Sequence, residues 1–83
     1  MTDGELRETV LRVLGEIAPE ADPATLKPDV SFRDQLDIDS MDFLNFAIAL
    51  HQELEVEIPE ADYGKLDTLD HCVEYLADAV GTR

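Results

Sequence analysis

The chain opens on a stripe of apolar positions, Leu6, Val10, Leu11, Leu14 and Ile17, that recur at intervals of three and four residues among Glu, Arg, Thr and Gly. That period brings the five side chains to one face of an α-helix. Asp3 stands where an N-cap belongs and Pro19 cannot continue a helix, so a first helix is predicted from Asp3 to just before Pro19. From Ala18 to Asp37 the pattern lapses. Pro19, Pro23 and Pro28 are scattered among acidic residues, and the stretch reads as one long loop. Loops of that length in small domains are functional or anchored, and Val30, Phe32 and Leu36 are the expected anchors.

Periodicity resumes near Ser40. Phe43, Phe46, Ala47, Leu50 and Leu54 form one stripe, while Met41, Leu44 and Ile48 form a second, so a helix is predicted from Asp39 or Ser40 to about Leu54. The Asp39 carboxylate can accept from free N–H groups of the first turn, and Asp42 adds negative charge at the positive end of the helix dipole. Two stripes are more than a small bundle buries easily, and the residues alone leave open whether Met41, Leu44 and Ile48 face core or solvent. Glu53 to Ile58 alternates like a strand, but without a partner strand it reads as a helix end and loop. Pro59 opens a short helical turn to Tyr63, with Gly64 as its stop. Thr68 caps a last helix whose apolar face is Leu69, Cys72, Val73, Leu76, Ala79 and Val80. The expected fold is all-α, a four-helix bundle with three main helices, one short helix and a long first loop.

Composition narrows what such a bundle can do. The 83 residues are room for a single domain, 1–83, with a modest core, and a water-excluding active site built from several convergent groups would be hard to accommodate. A hydrophobic content of 45% is enough for the chain to fold. Twenty acidic against 6 basic residues give a formal charge of -14, which repels nucleic acid and anionic lipid and favours basic protein surfaces as partners. Cys72 is the only cysteine, which excludes an intramolecular disulfide and a thiolate metal cluster; its apolar neighbours at helical spacing suit a small buried side chain. The first residues lack a basic stretch followed by an apolar run, and no apolar segment is long enough to cross a bilayer. A cytoplasmic location without membrane insertion is expected.

The candidate chemistry lies in Leu36-Asp37-Ile38-Asp39-Ser40-Met41-Asp42-Phe43-Leu44, where a hydroxyl falls at the point at which a polar loop becomes an amphipathic helix. Unpaired N–H groups and the helix dipole favour a phosphate ester there. Taken alone, Asp-Ser before a helix reads as an ordinary cap.

A wider set of positions changes that weighting. Ser31-Phe32, Leu36, Asp39-Ser40, Ile58-Pro59, Lys65-Leu66 and Glu74-Tyr75-Leu76 follow one another at the spacing of the acyl carrier protein family, with no gap from the serine to the last helix. From Ser31 to Leu76 the chain resembles that family. The resemblance implies an acyl-carrier-like bundle in which Ser40 receives 4′-phosphopantetheine from coenzyme A. A separate Mg²⁺-dependent phosphopantetheinyl transferase would supply the chemistry, so no catalytic residue is expected and the chain is not an enzyme. The arm would carry acyl intermediates as thioesters to partner enzymes of fatty acid, polyketide or related acyl metabolism.

Between Arg33 and Lys65 there are nine acidic residues and no Lys or Arg. With the resemblance, this field implies that the transferase and the acyl-loading and acyl-processing enzymes bring basic docking surfaces to the helix that Ser40 opens. Asp39, Met41, Asp42, Leu44, Asn45 and Ile48 would form the contact, with Phe46, Ala47, Leu50 and Leu54 turned to the core, and a monomer is expected. The sequence also departs from the family pattern. Met41 replaces the usual leucine, Asp37-Ile38 the usual Gly-Ala, and Asn45, His51 and Gln52 residues that are typically acidic, while Phe43 is bulkier than usual. These departures leave open a specialised carrier outside standard fatty acid synthesis.

Two other classes compete. Asp37, Asp39 and Asp42 suggest calcium, but an EF-hand loop begun at Asp37 would need an oxygen ligand at Met41, glycine at Asp42 and glutamate at Ile48. His51 and His71 lack partners at zinc-ligand spacing and are expected on helix surfaces, so no metal site is predicted. An unmodified acidic helical module that binds a basic protein is the remaining alternative, and it requires no covalent change at Ser40.

Overall fold

The first helix, α1 (Asp3–Ile17), is capped by Thr2. Its hydroxyl accepts from the Glu5 N–H while the Glu5 carboxylate accepts from the Thr2 N–H, a reciprocal capping box that leaves Asp3 inside the first turn rather than at the cap expected from sequence. In this computed structural model, which describes residues 2–81, Leu6, Val10, Val13 and Leu14 are buried. Leu11 and Ile17 sit at the margin of the core, so the buried stripe is rotated toward Val13 from the predicted one.

The long connection is not wholly irregular. Ser31 caps a single turn of helix, α2 (Phe32–Gln35), that carries no periodic signal because it is only four residues long. Gln35 ties the loop together: its Oε1 accepts from Lys27 N–H at 2.9 Å, and its Nε2 donates to the carbonyls of Lys27 at 2.8 Å and Val30 at 2.9 Å. Of the predicted anchors Phe32 is fully buried, while Leu36 and Val30 are partly buried; Leu26 and Ile38 are two further anchors outside the predicted set.

Helix α3 (Ser40–Leu54) matches its predicted span. It ends with Glu55 in the left-handed region at φ 54, ψ 41. That reversal sends Val56 and Ile58, both buried, back onto the bundle. The short helical turn after Pro59 is a 3-10 helix that runs from Glu60 to Leu66, past the stop predicted at Gly64, because Leu66 is a fully buried anchor beyond it. Helix α4 (Leu69–Ala79) is capped by Thr68 as expected, with Leu69, Cys72 and Leu76 buried and Ala79 exposed.

Helix α1 packs against both α3 and α4, and the 3-10 helix closes the remaining side against α4 and α3. Among the described residues the structure is all-helical, with three main helices and two short ones where one short helix was expected. One continuous apolar cluster joins all of these elements, and burying a Leu, Ile or Phe in it contributes about 1.5–3 kcal/mol.

Candidate functional site

The site starts from an alternation. Ile38 is buried, which turns Asp37 and Asp39 on either side of it outward. The chain then enters α3 with Asp39 as N-cap: its Oδ1 accepts from Asp42 N–H at 2.9 Å, and Asp42 Oδ2 accepts in return from Asp39 N–H at 3.4 Å. Asp42 thus adds to its charge against the dipole a reciprocal hydrogen bond, with Asp in the place where the usual capping-box pattern has Glu or Gln.

Capping is therefore done by Asp39, and Ser40 is the first residue inside the helix. Ser40 is exposed, and its hydroxyl has no hydrogen-bond partner among the described residues. The N–H groups of Ser40 and Met41 likewise find no acceptor there, as the geometry of a helix start requires. Ser31 is the internal contrast. Its Oγ accepts from Arg33 N–H at 3.2 Å, the engaged cap that Ser40 is not.

Beneath Ser40 the first turn of α3 is held by rings. Phe43, one turn on and partly buried, lies 6.1 Å from Phe46, and Phe46 meets Phe32 of α2 edge-on at 5.4 Å and 77°. This chain of three aromatic side chains links α2 to the start of α3. Such pairs contribute about 0.5–1.5 kcal/mol beyond the area they bury.

Helix α3 separates its two stripes. Phe46, Ala47 and Leu50 are fully buried and Leu54 is at the core margin, whereas Met41 is 63% and Ile48 39% exposed, with Leu44 partly exposed between them. Asn45 is exposed on the same side. An apolar strip thus runs down the outside of α3 from Ser40.

The other chemistry-bearing side chains lie elsewhere. His51 is exposed near the far end of α3, its Nδ1 2.5 Å from the Val56 carbonyl oxygen. His71 is exposed on α4, its Nδ1 2.7 Å from Asp67 Oδ1. Cys72 is buried and its thiol donates to the Leu66 carbonyl at 3.3 Å; burial first, and then the Asp67 charge, hold it firmly protonated, as suits a core residue rather than a nucleophile. No group of three or more His, Cys, Asp or Glu side chains able to hold a metal ion occurs among the described residues. No helix there is long and apolar enough to cross a membrane.

The family model for the phosphopantetheine attachment site matches residues 4–76. The chain belongs to the acyl carrier protein family. An acyl carrier protein of Bdellovibrio bacteriovorus is 32% identical over 72 residues, covering 87% of this chain and 86% of that one. One from Chlorobium luteolum is 30% identical over 77 residues, covering 92% and 96%. In fold, the chain is similar to the acyl carrier protein of Enterococcus faecalis at a TM-score of 0.79 and 23% identity, over 95% of this chain and 99% of that one. Acyl carrier proteins are carriers rather than enzymes, and their cofactor is a covalently attached 4′-phosphopantetheine. The start of α3 fits such a group: an exposed, unengaged hydroxyl stands beside two N–H groups without intramolecular acceptors, at the positive end of a fifteen-residue helix.

Proposed function

We propose that Ser40 is the residue that carries 4′-phosphopantetheine, and that the outer face of α3 is where partner enzymes dock. The observation that supports the attachment most strongly is that Asp39, not Ser40, caps α3, so that the serine hydroxyl has no structural task. When bound, the arm supplies a thiol on which acyl groups travel as thioesters. What this chain contributes is position: the Asp39–Asp42 capping box starts α3 so that Ser40 stands exposed on its first turn, the Phe32–Phe46–Phe43 rings tie that helix to α2, and the free N–H groups of Ser40 and Met41 favour the phosphate charge.

Met41, Leu44 and Ile48 offer exposed apolar surface beside Ser40, while Asp39, Asp42 and Asn45 surround it with polar and acidic groups. An apolar strip within a negative field suits an enzyme that presents a hydrophobic recess rimmed by Lys and Arg. The phosphopantetheinyl transferase and the acyl-loading and acyl-processing enzymes are such partners in this reading, which serves fatty acid, polyketide or related acyl metabolism. Met41, Phe43, Asn45, His51 and Gln52 favour a dedicated client set over the standard fatty acid enzymes.

Incubation with coenzyme A, Mg²⁺ and a broad-specificity transferase tests the attachment by intact mass. The wild type gains one phosphopantetheine per chain, and Ser40→Ala, still helical by circular dichroism, gains none. A wild type that stays unmodified supports the acidic interaction module instead.

A further inference from the structure

The first turn of α4 is a junction of three segments that are distant in sequence. The Asp67 carbonyl accepts from Phe32 N–H at 2.8 Å, and Asp70 N–H donates to the Pro28 carbonyl at 3.0 Å, so residues on either side of Thr68 hold both the long loop and α2. Inside that junction His71 folds back on the chain. Its backbone N–H donates to the Thr68 hydroxyl at 3.0 Å, and its ring Nδ1 lies 2.7 Å from Asp67 Oδ1. Asp67 thus holds α2 with its backbone and the His71 ring with its side chain.

The charges facing this imidazole are mostly of one sign. Asp67, Glu74 and Asp70 act on it from the linker and α4, Asp78 lies farther along the same open groove, and Lys65 is the cation that the 3-10 helix contributes there. From α1, Asp3 and Arg7 face the same helix across the adjoining cleft, where they meet Asp70, Glu74 and Asp78. A proton on His71 adds a second cation to an excess of carboxylates.

We propose that the His71–Asp67 pair is a proton-linked clasp that tightens the hold of α4 on residues 28–32, the segment that leads through α2 to Ser40. The hydrogen bond to Asp67, then its charge, raise the His71 pKa above the ordinary 6.5. The folded state therefore binds the proton more tightly than the unfolded chain. Stability from the pair is fully present below pH 6.5 and is lost as pH rises through the higher folded value. Both side chains are about half exposed, so the effect is modest.

Amide hydrogen exchange of Phe32 and Asp70, corrected for base-catalysed intrinsic exchange, reads the clasp directly. In the wild type their protection falls by roughly two- to fivefold, the scale of an exposed ion pair, as pH rises through the His71 midpoint measured by NMR. His71→Gln gives a flat profile at the low level. His71→Arg, a cation throughout this range, gives a flat profile at the high level. A His71 midpoint at or below 6.5, or a shared profile for wild type and His71→Gln, would overturn the clasp.

Discussion

Ser31 and Ser40 are the two serines of the chain, and each stands at a helix start. The difference lies one residue away: Ser31 is the cap of α2, whereas Asp39 takes that role at α3 and releases Ser40. A cap is worth about 0.5–2 kcal/mol, so Ser40→Ala, which removes no cap, should shift the thermal midpoint much less than Asp39→Ala. Among the described residues, Glu55 is the side-chain-bearing residue in the left-handed region, at φ 54. Glycine tolerates that region without the Cβ contact that costs other residues about 1–2 kcal/mol, against which its greater freedom in the unfolded chain must be set. Glu55→Gly should therefore raise stability by about 0.5–1 kcal/mol, measured as a higher urea midpoint at unchanged slope. A lower midpoint would mean that the Glu55 side chain does more than the structure shows.

At the scale of the element, α3 turns one apolar stripe into the core and leaves a second exposed on its outer face. Leu50 is fully buried, and Leu50→Ala should cost about 2–5 kcal/mol of unfolding free energy. Met41→Ser and Ile48→Ser sit on the exposed strip and should change stability by about 0.5 kcal/mol or less. In the docking reading they should instead lower kcat/KM for transfer of the arm by about three- to tenfold, since truncating an interface anchor costs on the order of 1 kcal/mol. Loss of folding without loss of transfer would reverse these assignments. This helix was legible in the sequence because its cap, span and inner stripe agree; its outer stripe was not assignable until the bundle showed one face already filled. The elements that escaped were short. Four residues of α2 hold too little periodicity to register, Leu26 and Ile38 are lone apolar residues in polar surroundings, and Gly64 gave a stop signal that buried Leu66 overrides. At the first helix the Thr-x-x-Glu box was readable, yet Asp3 beside it offered an equally acceptable cap.

For the molecule as a whole, charge is the dominant feature. A net charge of -14 works against compaction, and Arg12–Glu53, the ion pair that joins α1 to α3, is exposed and offsets little of it. Raising NaCl from about 0.05 to about 0.5 M shortens the Debye length from above 10 Å to below 5 Å. The thermal midpoint should rise over that range while association with a basic partner slows; a midpoint that falls would show that attractive pairs outweigh the repulsion. Composition showed this charge but not where the field concentrates. That depended on which carboxylates α3 and its preceding loop turn outward.

The most direct test of the central claim is the position of the arm in the loaded wild-type chain. Trypsin cleaves after Arg33 and Lys65, which separates Ser31 from the 34–65 peptide that contains Ser40 as its only serine. Fragmentation of that peptide should place one phosphopantetheine on Ser40, with the Ser31 peptide unmodified. An arm on any other residue, or none on the 34–65 peptide, would contradict the assignment.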